Sequence, residues 1–423
     1  MQDLIVIDSK NLRTRTVLAA ALLAALLFGW FTVRWQLGDM MADLTSPTDP
    51  NASDIAEMAL NWAPSDPTAL SLKASATNDS TAAVRMFEQT VSLAPGDYLR
   101  RIDLGRAYEQ DGQMQRAEEE FKKAVDLAPR YAAAHWNLGN FYFRHERNAE
   151  AVAELKKAAE NNQTYRDQVF SLAWDYFNKD PARIEDLAGD RPDAIARLAY
   201  FFGAHGSAEE ALRNWNRLSD NDKTRNKAIL KVLAIGLFSQ RHFPEALEFS
   251  KQSGADPDAN PERVTNASFE KNLEGDQDSR FGWQLIKSDP KFEATADSKV
   301  KHEGSRSLRV IFKSFVKPVL VNIIQTVVVE PNMKYRVHVW VRTENLKSAG
   351  APLLEIVDAN DDQFIVRSQT FPTGTNDWQN VVVEFTTPAN CNGVSIRTGR
   401  AYCGEECPIS GTFWYDDFEI SRL

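Results

Sequence analysis

Two adjacent segments of 34 residues decide the fold of this chain: Tyr98–Tyr131 reads YLRRIDLGRAYEQDGQMQRAEEEFKKAVDLAPRY, and Ala132–Tyr165 reads AAAHWNLGNFYFRHERNAEAVAELKKAAENNQTY. Placed one above the other, they match at several small and large residues. The matched pairs are Leu104 and Leu138, Gly105 and Gly139, Tyr108 and Tyr142, Ala117 and Ala151, and Ala124 and Ala158. A weaker form of the pattern extends over 53–254. This period predicts pairs of antiparallel helices stacked in a row.

The alternation of small and large side chains has a physical reason. Gly105 and Ala117 allow the two helices of a pair to approach closely, while Leu104 and Phe121 fill the space between pairs. Pro129 ends a second helix, because proline lacks the N–H that a helix interior needs. The segment therefore favours an α-solenoid.

These units resemble the tetratricopeptide repeat family, although Gln163 stands where that family usually has a proline. The resemblance implies an α-solenoid over 53–254 with a concave groove that binds a protein partner. The candidate groove residues lie on the first helix of each pair: Arg106, Glu109, Trp136, Asn140, Phe143 and Tyr200. The alternative for Trp136 and Phe143 is packing between repeats.

The amino-terminal part contains an uncharged run, VLAAALLAALLFGWFTV, over Val17–Val33. As a helix it is about 25 Å long. Trp30 near its end and the flanking Arg34 and Trp35 extend its reach into the interface. We expect a cytoplasmic tail over 1–16, a transmembrane signal-anchor helix over 17–35 and a linker over 36–52. Basic residues before the run place the amino terminus in the cytoplasm and the bulk of the chain outside it, in the periplasm of a Gram-negative cell. The alternatives are a cleaved signal peptide and a buried core helix.

The helical pattern stops at a segment rich in Asp and Pro, which predicts a linker over 255–263. Beyond it, apolar residues alternate with polar ones, as in Leu308–Phe312 and Tyr335–Val341. Around eight such strands over 264–423 predict an antiparallel β-sandwich or jelly roll. The fold class is therefore multidomain α and β: a membrane helix, a solenoid and a sandwich.

The order of motifs from Asn266 through Trp283 and Gly304 to Trp414 and Phe418 resembles the carbohydrate-binding modules of the galactose-binding-like superfamily. The resemblance implies a structural calcium held by an early and a late carboxylate, here Glu270 and Asp416 with Asp417 as a neighbour. Oxygen ligands of this type suit calcium. The alternative for Glu270 is a turn cap or an arginine pair.

Sugar rings dock on aromatic faces beside a few polar groups. His338, Trp340 and Arg342 share one strand face, and we expect Gln325 and Arg397 on neighbouring strands of that face. These five residues are the candidate polysaccharide site. Burial of Trp340 under a loop is the alternative.

All three cysteines lie in the last part of the chain, and an extracytoplasmic location permits a disulfide. Cys403 and Cys407 flank a short loop that a bridge could close, and Cys391 is the competing partner.

Composition limits the function. The 423 residues carry 49 Lys and Arg against 59 Asp and Glu, a net charge of −10, which disfavours a nucleic-acid partner. Nucleophile elbows, P-loops, dinucleotide-binding glycine patterns and metalloprotease helices do not occur in the sequence. We expect a membrane-tethered adaptor that is not an enzyme, acting in cell-envelope or exopolysaccharide biogenesis. A pure scaffold with a ligand-free jelly roll and a carbohydrate-active enzyme are the alternatives.

Overall fold

The computed structural model describes residues 12–271, 273, 278–285, 291–317, 319–321 and 323–423. The chain divides into two compact units, Met1–Gly189 and Asp190–Leu423. The predicted boundary at 255–263 lies inside the second unit. Most of the predicted cytoplasmic tail, residues 1–11, lies outside the described residues.

The described part of the first unit consists of helices. They are α1 (Leu12–Asp43), α2 (Ala52–Trp62), α3 (Pro67–Ser75), α4 (Ser80–Leu93), α5 (Tyr98–Gln110), α6 (Met114–Leu127), α7 (Ala132–Arg144), α8 (Asn148–Asn161), α9 (Gln163–Tyr176) and α10 (Pro181–Ala188).

Aspartates fix where several of these helices begin. Asp66, Asp79 and Asp97 precede α3, α4 and α5, and each side chain accepts a hydrogen bond from a backbone N–H of the first turn. Such caps satisfy donors that have no partner inside the helix. Together they set the start points that the repeat requires.

Close packing within each helix pair follows the predicted pattern. Gly105 of α5 faces the ring of Phe121 in α6, and a Cβ at Gly105 would lie 2.9 Å from that ring. Gly139 of α7 faces Leu155 of α8 in the equivalent place, where a Cβ would lie 2.7 Å from Leu155 Cγ. Phe121 and Leu155 are fully buried. The repeat prediction is confirmed at these positions.

Helix α1 is longer than the predicted membrane helix. It continues through Asp43, so the first eight residues of the segment predicted as a 36–52 linker are helical. Gly38 lies against Ala59 and Ala63, and Ala42 is buried in a small core with Ala56. Small residues let two helix backbones approach closely, and this contact replaces a flexible tether. The helix is long and apolar enough to cross a membrane.

The second unit begins with helices and ends with two sheets. Its helices are α11 (Pro192–Ala204), α12 (Ala208–Asn216), α13 (Asp220–Arg225), α14 (Lys227–Ser239) and α15 (Phe243–Ser253). Its strands are β1 (Gln284–Leu285), β2 (Phe292–Asp297), β3 (Ser307–Phe315), β4 (Ile323–Val328), β5 (Lys334–Ser348), β6 (Pro352–Asp358), β7 (Phe364–Arg367), β8 (Gly374–Thr386), β9 (Gly393–Arg400) and β10 (Ile409–Arg422).

The strands form two antiparallel sheets packed face to face. The first sheet has the order β1-β4-β9-β6-β7, and the second has the order β2-β3-β10-β5-β8. Leu308, Val337 and Phe413 from the second sheet meet Ile356 and Ile396 from the first in one buried core. The predicted antiparallel sandwich is confirmed, and the predicted alternation places its core residues.

The segment predicted as a second linker, 255–263, packs tightly against its neighbours. Asp256 is buried, and its carboxylate accepts hydrogen bonds from Ser250, Ser279 and the backbone N–H of Arg280. Glu262 donates its N–H to the Val328 carbonyl. A buried carboxylate needs such donors, because its burial without them is costly. Asp256 and the backbone of Glu262 therefore anchor this connection.

Candidate functional site

The first helices of consecutive repeats, α5 and α7, are linked by polar side chains. Arg106 donates from Nη2 to Asn137 Oδ1 at 2.7 Å. Glu109 accepts from Arg144 at 2.8 and 2.7 Å. Arg106 and Arg144 remain more than half exposed. The structure thus brings two predicted groove residues onto one accessible polar surface.

The aromatic groove candidates differ in burial. Phe143 is buried and stacks on Tyr176 with ring centres 4.4 Å apart. Trp136 is half-buried, with its ring centre 5.8 Å from that of Tyr165. Asn140 donates its side-chain N–H to the Trp136 carbonyl at 2.8 Å. Both rings therefore contact α9, but Phe143 is buried there whereas Trp136 stays partly exposed.

A cleft of about 390 Å³ adjoins this polar surface. Its lining includes Asp103, Arg106 and Gln110 of α5, Ser75 at the end of α3 and Asn78 in the loop that follows. Burial raises the pKa of the Asp103 carboxyl, opposed by nearby arginines. Tyr200, the remaining groove candidate, lies on α11 in the second unit, where Arg197 covers its ring at 4.6 Å.

The five predicted sugar contacts do not share a face, so the expectation of one common face is wrong. Sugar binding by these residues stays a prediction. Trp340 lies on β5, whereas Gln325 and Arg397 lie on β4 and β9 of the other sheet. Gln325 is buried, and its amide bonds to both backbone groups of Thr265 at 2.7 and 2.9 Å. The predicted alternation along β5 is confirmed, because Tyr335, Val337 and Val339 are buried in the core. Which strands share a sheet depends on pairing between segments that are distant in sequence.

On the outer face of the second sheet, a second cleft of about 330 Å³ surrounds Trp340. His302 stacks on the Trp340 ring with centres 4.1 Å apart, and its Nδ1 lies 2.7 Å from Asp417. His338 lies 3.2 Å from Glu419. Arg342, further along β5, pairs with Asp377. The aromatic face of Trp340 is thus occupied by an imidazole of the protein itself.

The outer face of the first sheet carries a row of charged residues that includes one predicted contact. Arg397 on β9 is the register partner of Glu355 on β6, and Glu355 is the partner of Arg367 on β7. Glu355 accepts from Arg367 Nε at 3.0 Å and from Arg397 Nε at 3.1 Å. Sequence reasoning missed Glu355 and Arg367. The signal was a single carboxylate in the otherwise apolar run PLLEIV.

The predicted calcium ligands hold one loop of the protein. Glu270 accepts from Ser305 and from the N–H of Arg306, while Asp416 accepts from the N–H groups of His302 and Glu303. Burial raises the pKa of Asp416 to about 6. Among the described residues, no group of three His, Cys, Asp or Glu side chains could hold a metal ion.

Structural calcium at Glu270, Asp416 and Asp417 stays a prediction. Asp417 is already engaged with Ser268 and His302, so all three carboxylates have partners within the chain. A thermal melt with and without EDTA tests the prediction. Binding of calcium predicts a lower midpoint after chelation, because a metal that binds only the folded state stabilises it.

The cysteines separate into a bridge and a buried thiol. Cys403 and Cys407 form a disulfide, and Cys391 is free and buried. Burial raises the pKa of the Cys391 thiol to about 12. Arg400, also buried, donates to the Cys407 carbonyl at 2.7 Å and to the Gly350 carbonyl at 3.0 Å. This guanidinium and the bridge together hold the loop after β9.

Two family profiles match separate parts of the chain. The tetratricopeptide repeat profile matches residues 68–131 and 102–165. The carbohydrate binding domain profile matches residues 262–399. None of the curated proteins matches the chain.

Solved structures similar to the chain include MamA proteins and carbohydrate-binding modules. A MamA structure from Desulfovibrio magneticus RS-1 is 26% identical and covers 31% of this chain and 75% of its own, with a TM-score of 0.27. TmCBM61 in complex with β-1,4-galactotriose is 17% identical, with coverage of 39% and 100% and a TM-score of 0.27. The CBM22-1–GH10 modules of Clostridium thermocellum xylanase 10B, complexed with xylohexaose, are 15% identical, with a TM-score of 0.27.

The match to the xylanase covers 38% of this chain and only 28% of the xylanase chain. The repeat region is of a protein-interaction kind, the terminal domain is of a carbohydrate-binding kind, and both kinds are non-catalytic. The chain carries tetratricopeptide repeats in its amino-terminal part and a carbohydrate binding domain at its carboxyl terminus.

Proposed function

We propose that this chain is a membrane-anchored adaptor whose repeats bind a protein partner and whose terminal domain binds a glycan outside the cytoplasm. The observation that carries the proposal is the order of parts in one chain. An apolar helix at Leu12–Asp43 precedes the matched repeats, and the matched carbohydrate binding domain follows them. Cell-envelope or exopolysaccharide biogenesis is the setting in which protein and glycan recognition would both be needed.

The protein-binding part of the proposal rests on the polar surface of α5 and α7. The guanidinium groups of Arg106 and Arg144 are more than half exposed, and Trp136, which precedes the Arg106 partner Asn137 on α7, is partly exposed. Tryptophan and arginine are the residue types that most often dominate protein interfaces. The surface fits an extended peptide that carries a carboxylate for Arg106 and an apolar side chain for Trp136.

Substitution separates binding from folding on this surface. Trp136→Ala is expected to abolish partner capture with a small change in thermal midpoint. Phe143→Ala serves as the matched control and is expected to cost about 3–5 kcal/mol of stability, because it empties a buried site. A large loss of stability in Trp136→Ala would instead assign Trp136 to the core.

The membrane part of the proposal rests on charge and redox chemistry. Arg13 and Arg15 precede the apolar run, which favours a cytoplasmic amino terminus. The Cys403–Cys407 bridge is of the kind that persists in oxidising compartments. Added protease tests this orientation in cells with a permeabilised outer barrier. Digestion of the repeats and the β domain supports it, and full protection contradicts it.

Cross-linking in cells, followed by affinity purification and mass spectrometry, tests the adaptor role. The expected result is an extracytoplasmic protein that is captured by the wild type and lost with Trp136→Ala. Capture that is unchanged by Trp136→Ala and Arg106→Ala together would contradict binding at this surface.

A further inference from the structure

The outer face of the first sheet carries a single row of side chains that crosses five strands. Register partners place Gln284, Ile324, Arg397, Glu355 and Arg367 in line from β1 to β7. Their neighbours along the strands, such as Ile356 and Ile396, point into the core. The row therefore forms a continuous track on the surface, perpendicular to the strands.

Glu355 is the fixed centre of this row. Its side chain is only 8% exposed, although those of Arg367 and Arg397 are 51% and 32% exposed. Gly399, on the same face of β9, has no side chain, and a Cβ there would collide with the Glu355 carboxyl group. The carboxylate thus lies flat on the sheet and holds one arginine on each side.

The hydrogen bonds leave most of each guanidinium group available. Each arginine donates only its Nε–H to Glu355. Within the described ranges, the terminal Nη atoms of Arg367 and Arg397 form no hydrogen bond to the protein. Two positive charges against one negative charge leave a net charge of +1. The row therefore presents the Nη–H donors of two guanidinium groups, held in place through their Nε atoms, with excess positive charge.

An exposed aromatic ring lies beside these donors. Phe364 on β7 is 52% exposed, and the Arg367 guanidinium lies 4.8 Å from its ring centre. An exposed ring of this kind provides a flat apolar surface for a sugar ring. On the same face of β9, four residues from Arg397 along the strand, the Phe243 ring of α15 covers Gly393.

We infer that this row binds the carboxylate groups of an acidic polysaccharide, that is, a glycan containing uronic acids. The inference rests on the proposed glycan binding and names the class of glycan. A planar guanidinium matches a carboxylate through two parallel hydrogen bonds, which neutral hydroxyls cannot reproduce with the same strength. Phe364 stacks against a sugar ring while Arg367 and Arg397 bind the carboxylates of successive residues.

The test compares one polymer with and without its charge. The full chain in lipid nanodiscs is titrated with oligomers of polygalacturonate, with the same oligomers methyl-esterified, and with polyglutamate. We expect the charged oligomer to bind at least about tenfold more tightly than its ester. Its affinity should fall steeply when salt rises from about 0.05 M to about 0.5 M, because exposed charge pairs are screened.

Variants then assign the binding to the row. Arg367→Gln and Arg397→Gln are each expected to weaken polygalacturonate binding about tenfold or more. Arg336→Gln is the matched control, because Arg336 pairs with Glu384 on the other sheet at a similar exposure. It should bind as the wild type does. The salt dependence of the wild type keeps the test informative if an arginine variant unfolds.

Each other outcome overturns a distinct statement. Equal binding of the esterified oligomer, insensitive to salt, overturns the acidic class and leaves glycan binding intact. If polyglutamate binds as tightly as polygalacturonate and with the same dependence on the two arginines, the ligand is an acidic peptide and the claim that it is a glycan is overturned. Binding unchanged in both arginine variants overturns the site. Neutral xylan and galactan oligomers are titrated in the same way. If neither these nor either form of galacturonate binds, the proposed glycan binding itself is overturned.

Discussion

Gly105 and Gly139, at equivalent positions of consecutive repeats, show how single residues set the spacing of the helices. Gly139 lies so close to Leu155 that a Cβ would meet its Cγ at 2.7 Å. Gly139→Ala is expected to destabilise the chain by about 1–3 kcal/mol, because the overpacked helices must move apart. Gly236→Ala in α14 is the control, since a Cβ there meets open space. It should stabilise by up to about 1 kcal/mol.

Urea unfolding followed by far-ultraviolet circular dichroism measures both changes. Similar midpoints for Gly139→Ala and Gly236→Ala would contradict the close-packing role. The repeat period alone was enough to predict small residues at these positions. The same residue-by-residue reasoning failed for Gln325, whose amide bonds to the Thr265 backbone inside the domain. A buried polar side chain on a core-facing position cannot be told from a surface one by alternation.

Between helices α7 and α8, one buried ion pair couples stability to pH. His135 is buried, with Nδ1 2.6 Å from Glu154 and Nε2 2.9 Å from the Pro129 carbonyl. Burial alone would lower the pKa of His135, but the bonds to Glu154 and Pro129 together raise it. Two acceptors suit an imidazolium, which donates from both nitrogens. Glu154 has a lowered pKa despite its burial, because His135 and Lys157 donate to it.

The sign of the effect follows from these directions. His135 binds its proton more tightly in the folded state, so its stabilisation is fully present below pH 6.5 and is lost as pH rises through the folded-state pKa. The Glu154 contribution is present above pH 4.5 and is lost as pH falls through its lowered pKa. Stability from the pair is therefore greatest between those values.

Replacement of the histidine makes this measurable. The difference in unfolding free energy between wild type and His135→Gln should be largest near pH 6 and should shrink as pH rises above about 7. His145→Gln is the control, because His145 is less buried and lies 3.2 Å from Glu109. A difference that stays constant from about pH 5.5 to pH 8.5 would exclude the coupling.

At the level of elements, periodicity predicted most helices and strand faces, because those patterns are local. The alternation of Tyr335, Val337, Val339 and Val341 placed all four in the core. Strand pairing could not be predicted from the sequence, because β6 lies between β7 and β9 and its contact with β9 joins segments that are distant in sequence. The charged row of Arg397, Glu355 and Arg367 exists only through that pairing, which is why two of its members were missed.

In the second unit as a whole, the last helices belong structurally with the sandwich. Arg241, after α14, forms an ion pair with Asp362 at 2.6 Å, and Phe238 packs edge-on against Phe281 at 5.2 Å. Phe243 covers Gly393. The change from helical to alternating periodicity predicted where the sheets begin. It carried no information on whether the two parts touch.

Truncation tests this joint. A fragment of residues 190–423 is expected to unfold in one transition at a higher temperature than a fragment of residues 256–423. The shorter fragment keeps Asp256 but exposes Phe281 and Gly393, and loss of one buried aromatic contact costs about 1.5–3 kcal/mol. Equal midpoints, or separate transitions for helices and sheets in the longer fragment, would show that the joint adds no stability.

The proposed role joins two recognition surfaces on one anchored chain, and cross-linking in cells tests both together. A photoreactive amino acid replaces Gln110, which lines the cleft beside Arg106, in one variant of the full chain, and Gln284, at the β1 end of the charged row, in another. We predict adducts with an extracytoplasmic protein from position 110 and with polysaccharide from position 284. Adducts from position 110 with cytosolic proteins alone, or the absence of adducts at both positions, would contradict the proposal.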